Sequence, residues 1–372
     1  MIYLDNIVFS LQKTGGISAV WYEHLKRLLG DGARRERLNM LEYDNARDNM
    51  FRNLLHIDSS AVETRSATLL RLKRYLNPSV SQTAEPMLFH SSYYRTCGNR
   101  SVANVTTVHD FTYEYYSAGL TKKVHCWQKH RAIRNSDLII CISQNTKRDL
   151  LKFLPDVSED KIRVVYNGVG EAYFPLKDNG SPLNDNSGNE VQLPFSAGSF
   201  VLFVGARRGY KNFELAVDGI ADTSLNMVVV GSPLSDEEQA LLTNKLGSAR
   251  YKYVGRICNV ELNLLYNKAF CLLYPSSYEG FGIPVIEAQR AGCPAIAADS
   301  SAISEVAGDK TLLISKLTAY AIREKMNILN NPQTREELVR LGLENARRFS
   351  WDNTYAETCR VYDEAFELLT KK

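Results

Sequence analysis

The chain has no long hydrophobic run. Its most apolar stretches, Ser199 to Val204 and Asn226 to Val230, fall far short of the roughly 20 residues a membrane-spanning helix needs. Met1 to Leu11 has no basic lead into a cleavable apolar segment. The expectation is a protein on the cytoplasmic side of the membrane. Cysteine is sparse too: seven residues, odd in number, scattered and never spaced Cys-x-x-Cys. That fits neither a disulfide framework nor a zinc site, so the thiols are read as reduced and mostly buried. No nucleic-acid-binding module is recognisable, and nucleic acid is not an expected partner.

What is present is ordinary globular material. A chain of 372 residues that is 44% apolar and 23% charged exceeds what one core usually holds, so two domains are expected. The net charge of +3 hides an asymmetry. Residues 1–175 carry 24 Lys and Arg against 18 Asp and Glu, the remainder 21 against 24, and all six histidines lie in the first half. A basic first half suits an acidic partner or an anionic membrane surface, and equally a plain solvated surface.

Short apolar strands alternate with longer amphipathic stretches, the pattern of parallel sheets covered by helices, and the series occurs twice. The first has strand candidates Ile2 to Phe9, Leu88 to His90, Val105 to Val108, Leu138 to Ile142 and Arg163 to Tyr166, with helices over Ile17 to Leu29 and Lys122 to Asn135. Between Pro175 and Ser199 turn formers predominate and core residues nearly vanish, which predicts a linker over 175–198. The second series has strands Phe200 to Val204, Asn226 to Val230, Tyr251 to Val254, Phe270 to Tyr274 and Ala295 to Ala298. Domains are therefore expected at 1–174 and 199–350, followed by a helix over 351–372 that crosses back to the first. Polar residues stopping the strands mark where ligands bind in open α/β sheets.

Tyr274-Pro-Ser-Ser-Tyr-Glu-Gly-Phe-Gly-Ile-Pro-Val-Ile-Glu287 leaves a strand, passes a glycine-rich turn and enters a helix opened by Pro284. Gly280 and Gly282 allow close backbone approach, and a helix start attracts a phosphate. Glu279 and Glu287 bracket that site. Such turns also occur as plain structure, and Glu287 alone reads equally as a surface residue.

The whole constellation resembles the Glu-x7-Glu motif of retaining family 4 glycosyltransferases. The resemblance covers most of the chain and implies the GT-B architecture, two Rossmann-like α/β domains with parallel sheets facing across a cleft. It implies that Glu287 accepts hydrogen bonds from the donor's ribose, that Glu279 faces the transferred sugar, and that amides around Gly280, Phe281, Gly282 and Ile283 hold the β-phosphate. Phe203-Val-Gly-Ala-Arg-Arg-Gly-Tyr-Lys211 resembles the family's first βα turn; Lys211 matches the lysine that neutralises the diphosphate, with Arg207 or Arg208 beside it. Either arginine reads alternatively as a solvated loop charge. Tyr253-Val-Gly-Arg-Ile257 places Arg256 and Ile257 against the base. Asp-x-Asp, the metal-holding pair of other glycosyltransferases, occurs nowhere, so no metal or other cofactor is expected.

In the first half Gly15-Gly16 opens a helix and is expected to approach the diphosphate, and His109 to lie by the transferred sugar as a catalytic-site residue. Asp110 and Ser143 read as caps, and His90-Ser91-Ser92-Tyr93-Tyr94 either as a sugar-stacking segment on the acceptor side or, equally, as surface aromatics. The basic stretches Leu25 to Leu29 and Leu69 to Leu76 suit peripheral contact with an anionic membrane or, alternatively, packing as amphipathic helices. The implied function is transfer of a hexose, mannose or glucose in type, from a nucleotide-diphosphate sugar to a saccharide or lipid-linked acceptor in cell-surface polysaccharide synthesis. An epimerase or phosphorylase on the same fold, and a non-catalytic saccharide- or nucleotide-binding module, are the alternatives.

Overall fold

The computed structural model describes residues 1–80, 85–99, 101–177 and 192–370. It divides into two compact units, Met1–Gly168 with Trp351–Lys372, and Val169–Ser350.

The first unit is built on a seven-stranded sheet: β1 Ile2–Asp5, β2 Leu38–Tyr43, β3 Val62–Arg65, β4 Met87–Ser91, β5 Val102–Val108, β6 Leu138–Cys141 and β7 Ile162–Val164. Every pair is parallel, in the order β3-β2-β1-β4-β5-β6-β7. The chain winds outward from β1 to β3, then returns to the other side of β1 for β4. The second unit repeats the scheme with β8 Phe200–Val204, β9 Asn226–Val230, β10 Tyr251–Gly255, β11 Cys271–Tyr274, β12 Ala295–Ala298 and β13 Leu313–Ile314, ordered β10-β9-β8-β11-β12-β13. Reversals of winding therefore fall between β1 and β4 and between β8 and β11. Helices leave a sheet in opposite directions at such points and open a crevice beyond the strand ends.

The strands are apolar on both faces because helices cover both. Val201, Leu202, Met227, Val228 and Val229 are wholly buried. Close packing reaches the helix backbones: a Cβ on Gly219, in helix Phe213–Ala221, would meet Ile322 Cγ2 at 2.7 Å. Helix starts are capped where the sequence supplies oxygen acceptors. Ser235 and Glu238 form a reciprocal capping box, Ser143 accepts from Thr146 N–H, and Asp110 Oδ1 accepts from Thr112 N–H at 2.8 Å.

Several expectations change. The strand expected over Ile2 to Phe9 stops at Asp5, and Val8–Leu11 forms a helical turn. Asn6 ends it by accepting from Trp21 Nε1, and Ser92 Oγ takes the Val8 N–H at 3.0 Å. Strands β2 and β3 were absent from the expected series. The second unit begins at Val169 rather than at 199, and residues at the start of the expected linker are held to it: Asn263 and Asn267 side chains accept from the Phe174 and Leu176 amides at 3.1 and 2.7 Å. Of the expected linker, residues 178–191 lie outside the described residues. All seven cysteines are free and five are buried.

Helix Trp351–Thr370 packs within the first unit. Its wholly buried Tyr362 places a hydroxyl 2.9 Å from His24 Nε2 and 2.7 Å from His90 Nδ1. Arg27 donates to Asp352 at 2.6 Å, and Tyr355 to Asp31 at 2.8 Å. Leu25 and Leu28 are wholly buried in the same core, so the basic stretch Leu25 to Leu29 is a packed amphipathic helix and not a membrane surface.

Candidate functional site

At the reversal between β8 and β11, the turn after β8 carries Lys211 and the loop after β11 carries Glu279. The two side chains form an ion pair, with Tyr274 Oη 3.5 Å from Lys211 Nζ. Both are mostly sheltered, with side-chain exposures of 14% and 13%. The two loops are tied together. Asn212, in the left-handed conformation (φ 53°), donates to the Pro275 carbonyl and to Ser277 Oγ, both at 2.7 Å, while the Tyr210 carbonyl accepts from Ser277 N–H at 2.8 Å. Glu279 is aimed by its amide, which donates to Ser301 Oγ at 2.8 Å. Neither chemical group is placed by chance.

Two residues beyond β11's loop glycine, Gly282 (φ 104°) caps helix Ile283–Arg290. A side chain there would be strained, which is the physical reason for glycine. The amides of Gly282 and Ile283 have no hydrogen-bond acceptor among the described residues. Pro284 brings no N–H of its own. Phe281 is buried and packs edge-on against Phe349 at 5.5 Å, so its side chain braces the turn. Gly280 is buried beside it.

One turn into that helix, Glu287 is half-buried among tyrosines. Tyr266 donates to its Oε2 at 3.1 Å, and the Tyr173 phenol, which donates to Asn259 Oδ1 at 3.3 Å, lies near enough to favour its charged form. Desolvation nevertheless dominates and pushes the carboxyl up to about 7. Neither tyrosine was among the expected site residues.

The arginines separate clearly. Arg207, with a side chain 4% exposed, donates to the Ser232 and Pro233 carbonyls at 2.7 Å and pairs with Glu238 at 2.8 Å. Arg208 is exposed and has no ion pair among the described residues. Arg208→Ala should therefore raise the donor KM several-fold at unchanged melting temperature. Arg207→Ala should lower the melting temperature, because it removes the cation that braces the β9 loop. A thermal melt alongside steady-state kinetics on both variants decides it. Arg256 is exposed just after β10, where Gly255 takes φ 77°, and Ile257 is half-buried beside it.

In the first unit Gly15 caps helix Gly16–Gly30 at the end of the β1 connection. A Cβ on Gly15 would meet only the flexible end of the Gln12 side chain, which can move aside, and Gly16 faces open space. His109 follows β5 and is partly covered; burial lowers its pKa to about 4, so the ring is neutral near pH 7. The neighbouring segment departs from expectation. His90 is 2% exposed and bridges Tyr362 and Thr107, Ser91 donates to Asp5 at 2.6 Å, and Tyr94 is buried. Its polar groups are consumed inside the core, leaving only Tyr93 half-exposed.

Among the described residues one trio of possible metal ligands occurs, Glu114, Cys126 and His130, in the first unit. The Lys129 ammonium sits 2.7 Å from Glu114 Oε2, supplying the positive charge that carboxylate needs.

Two doubly wound units, one with a Lys–Glu pair and a glycine-bounded helix start at its winding reversal, define a glycosyltransferase of the GT-B fold. The chain belongs to that family: residues 189–345 match the model of the glycosyl transferases group 1, and residues 14–172 that of Glycosyltransferase Family 4. It is 34% identical over 274 residues to O-antigen chain mannosyltransferase B of Escherichia coli, covering 69% of each chain. An uncharacterised glycosyltransferase of Methanocaldococcus jannaschii is 26% identical over 336 residues, 88% of this chain and 89% of that one. Among solved structures, Anabaena HepE in complex with UDP and glucose superposes with a TM-score of 0.70 at 17% identity, covering 98% of this chain and 99% of that one. Sucrose-phosphate synthase of Thermosynechococcus elongatus gives 0.71 at 18%, covering 99% of both.

Proposed function

We propose that the chain transfers a hexose from a nucleotide-diphosphate sugar to a saccharide or lipid-linked saccharide, with retention of anomeric configuration and without a metal ion. The observation that carries this reading is the Lys211–Glu279 pair beside the free amides of Gly282 and Ile283 at one winding reversal. A diphosphate there would meet an ammonium and a helix start, and both oppose the negative charge that grows as the bond from anomeric carbon to phosphate oxygen breaks. Glu279 would accept from hydroxyls of the sugar and Glu287 from the ribose, with Arg208 as the second cation and Arg256 and Ile257 beside the base. In the first unit Gly15, Gly16 and His109 remain the candidates for contact with substrate.

The acceptor hydroxyl oxygen forms the new bond on the face the diphosphate leaves, and its proton passes to the departing phosphate oxygen. No protein base is required. Mannose is the favoured sugar, since relatives include O-antigen mannosyltransferases of Escherichia coli and Salmonella typhimurium, and O-antigen relatives also favour a cell-surface polysaccharide as product. A glucosyl donor is the alternative, given a fold relative solved with UDP-glucose.

The test is a thermal-shift panel of uridine and guanosine diphosphates and their sugars. A donor at 100 times its Kd should stabilise the protein by about 2.7 kcal/mol. Turnover should survive EDTA, and NMR of the product should show the donor's anomer. No shift with any nucleotide diphosphate, or an inverted product, would sink the proposal.

Glu287 supplies a pH signature. Its pKa is raised from 4.5 to about 7 in the folded protein, so between those values the native state holds a proton the unfolded chain has lost. This contribution to stability is complete below about 4.5 and is lost as pH rises through about 7. Ribose hydroxyls donating to the carboxylate favour its charged form, so nucleotide affinity should strengthen as pH rises through about 7. In Glu287→Gln both dependences should flatten, as calorimetric titration across that range would reveal.

A further inference from the structure

We propose that the first unit carries a docking surface for an anionic lipid bilayer, formed by the segment Leu69–Leu76 and the adjacent face of helix Gly119–Arg134. The large apolar side chains here are turned to water. Leu69, Leu72 and Leu76 are 66%, 63% and 62% exposed, and on the neighbouring helix Leu120 is 75% and Trp127 52% exposed. Ordinary packing of an amphipathic helix buries such a stripe, as the same unit does with Leu25 and Leu28. The short helix Leu70–Lys73 buries only Leu70.

The two elements form one surface. Gln128 donates to the Arg74 carbonyl at 2.5 Å, and Arg131 to Asn77 Oδ1 at 2.7 Å, with the Arg131 guanidinium also lying 5.0 Å over the Trp127 ring. Leu69 itself stands at φ 60°, ψ 25°, a conformation that glycine or asparagine adopts more cheaply. A leucine is kept there with its side chain outward.

Charge selects the occupant. No Asp or Glu occurs between residues 64 and 84 or between 117 and 134, whereas these stretches hold nine Lys and Arg. Of these Arg71 and Lys123 are exposed among the leucines. Protruding leucines and a tryptophan set among cations match the boundary between lipid headgroups and acyl chains, where apolar tips insert and basic groups meet anionic phosphates. No described helix is long and apolar enough to cross a membrane, so the contact is superficial.

The full chain should be centrifuged with vesicles of phosphatidylcholine alone and with phosphatidylglycerol added, at low and high salt. Binding is expected only with the anionic lipid and should weaken with salt. The double substitution Leu72→Ser, Leu76→Ser should lower the partition coefficient by roughly tenfold or more at unchanged melting temperature. Trp127 should shift its emission to the blue and be quenched by brominated lipid, because Trp21 and Trp351 are already buried. Absence of binding to anionic vesicles, binding unaltered in the double variant, or unaltered Trp127 emission would each overturn the proposal. Stronger retention on immobilised polyglutamate than on anionic vesicles would overturn it in favour of an acidic protein. The assay needs no donor or turnover, so its failure leaves the transferase reading untouched.

Discussion

Lys211→Ala is expected to lower kcat/KM by roughly 10²- to 10³-fold, mostly through kcat. The ammonium would stabilise charge that is largest when the sugar–phosphate bond is breaking, which is why its loss should cost turnover more than binding. The side chain sits on a turn locked by Asn212 against the β11 loop, so its removal leaves the scaffold intact. It also leaves Glu279 without its cation. Glu279→Gln provides the contrast: affinity for the free nucleoside diphosphate should hold while that for the nucleotide sugar falls, because this carboxylate is assigned to sugar hydroxyls. In Lys211→Ala both should fall. Turnover at the parental rate in Lys211→Ala would remove the basis for the mechanism.

Asp5→Ala should destabilise the first unit by about 3–5 kcal/mol. Asp5 and Arg95 form an ion pair with side-chain exposures of 0% and 1%, at the end of β1 beside the winding reversal. Arg95 Nε donates to Asp5 Oδ2 at 2.7 Å and its NH1 to Tyr43 at 2.9 Å, while Ser91 completes the set on Asp5. Truncating the carboxylate strands a buried guanidinium with only a phenol as partner. The double variant Asp5→Ala, Arg95→Ala should lose less than the two single losses combined, because the second truncation removes the stranded charge. Urea titrations of the three variants measure this. Additive losses would mean the pair is not coupled.

The second unit was largely legible in the sequence. Strands β8, β9 and β12 coincide with the expected Phe200 to Val204, Asn226 to Val230 and Ala295 to Ala298, since unbroken apolar runs between turn formers have few other solutions. β2 was invisible for a definite reason. It carries Glu42, which is 5% exposed and acceptable in a core only because Arg52 and Asn6 reach it from elsewhere in the chain. Local pattern reports no partner 10 residues away. The site shows the same division. Lys211, Glu279 and Glu287 stand in a recognisable motif, whereas nothing in the local sequence marks Tyr266 as a donor to Glu287, a contact made across 21 residues. His90 erred the other way: a polar strand end was read as ligand-facing, and a tyrosine 272 residues later claimed it.

That tyrosine has a consequence for the order in which the molecule is made. The first unit is begun by residues synthesised before the second unit and completed by Trp351–Thr370, which emerge after the entire second unit. While Val169–Ser350 is synthesised and can close on its own core, His24 and His90 wait without the hydroxyl that joins them, and the apolar seat of Val361, Tyr362 and Ala365 stays open. The portion synthesised first is thus the portion finished last, and the nascent chain is most in need of protection through that interval.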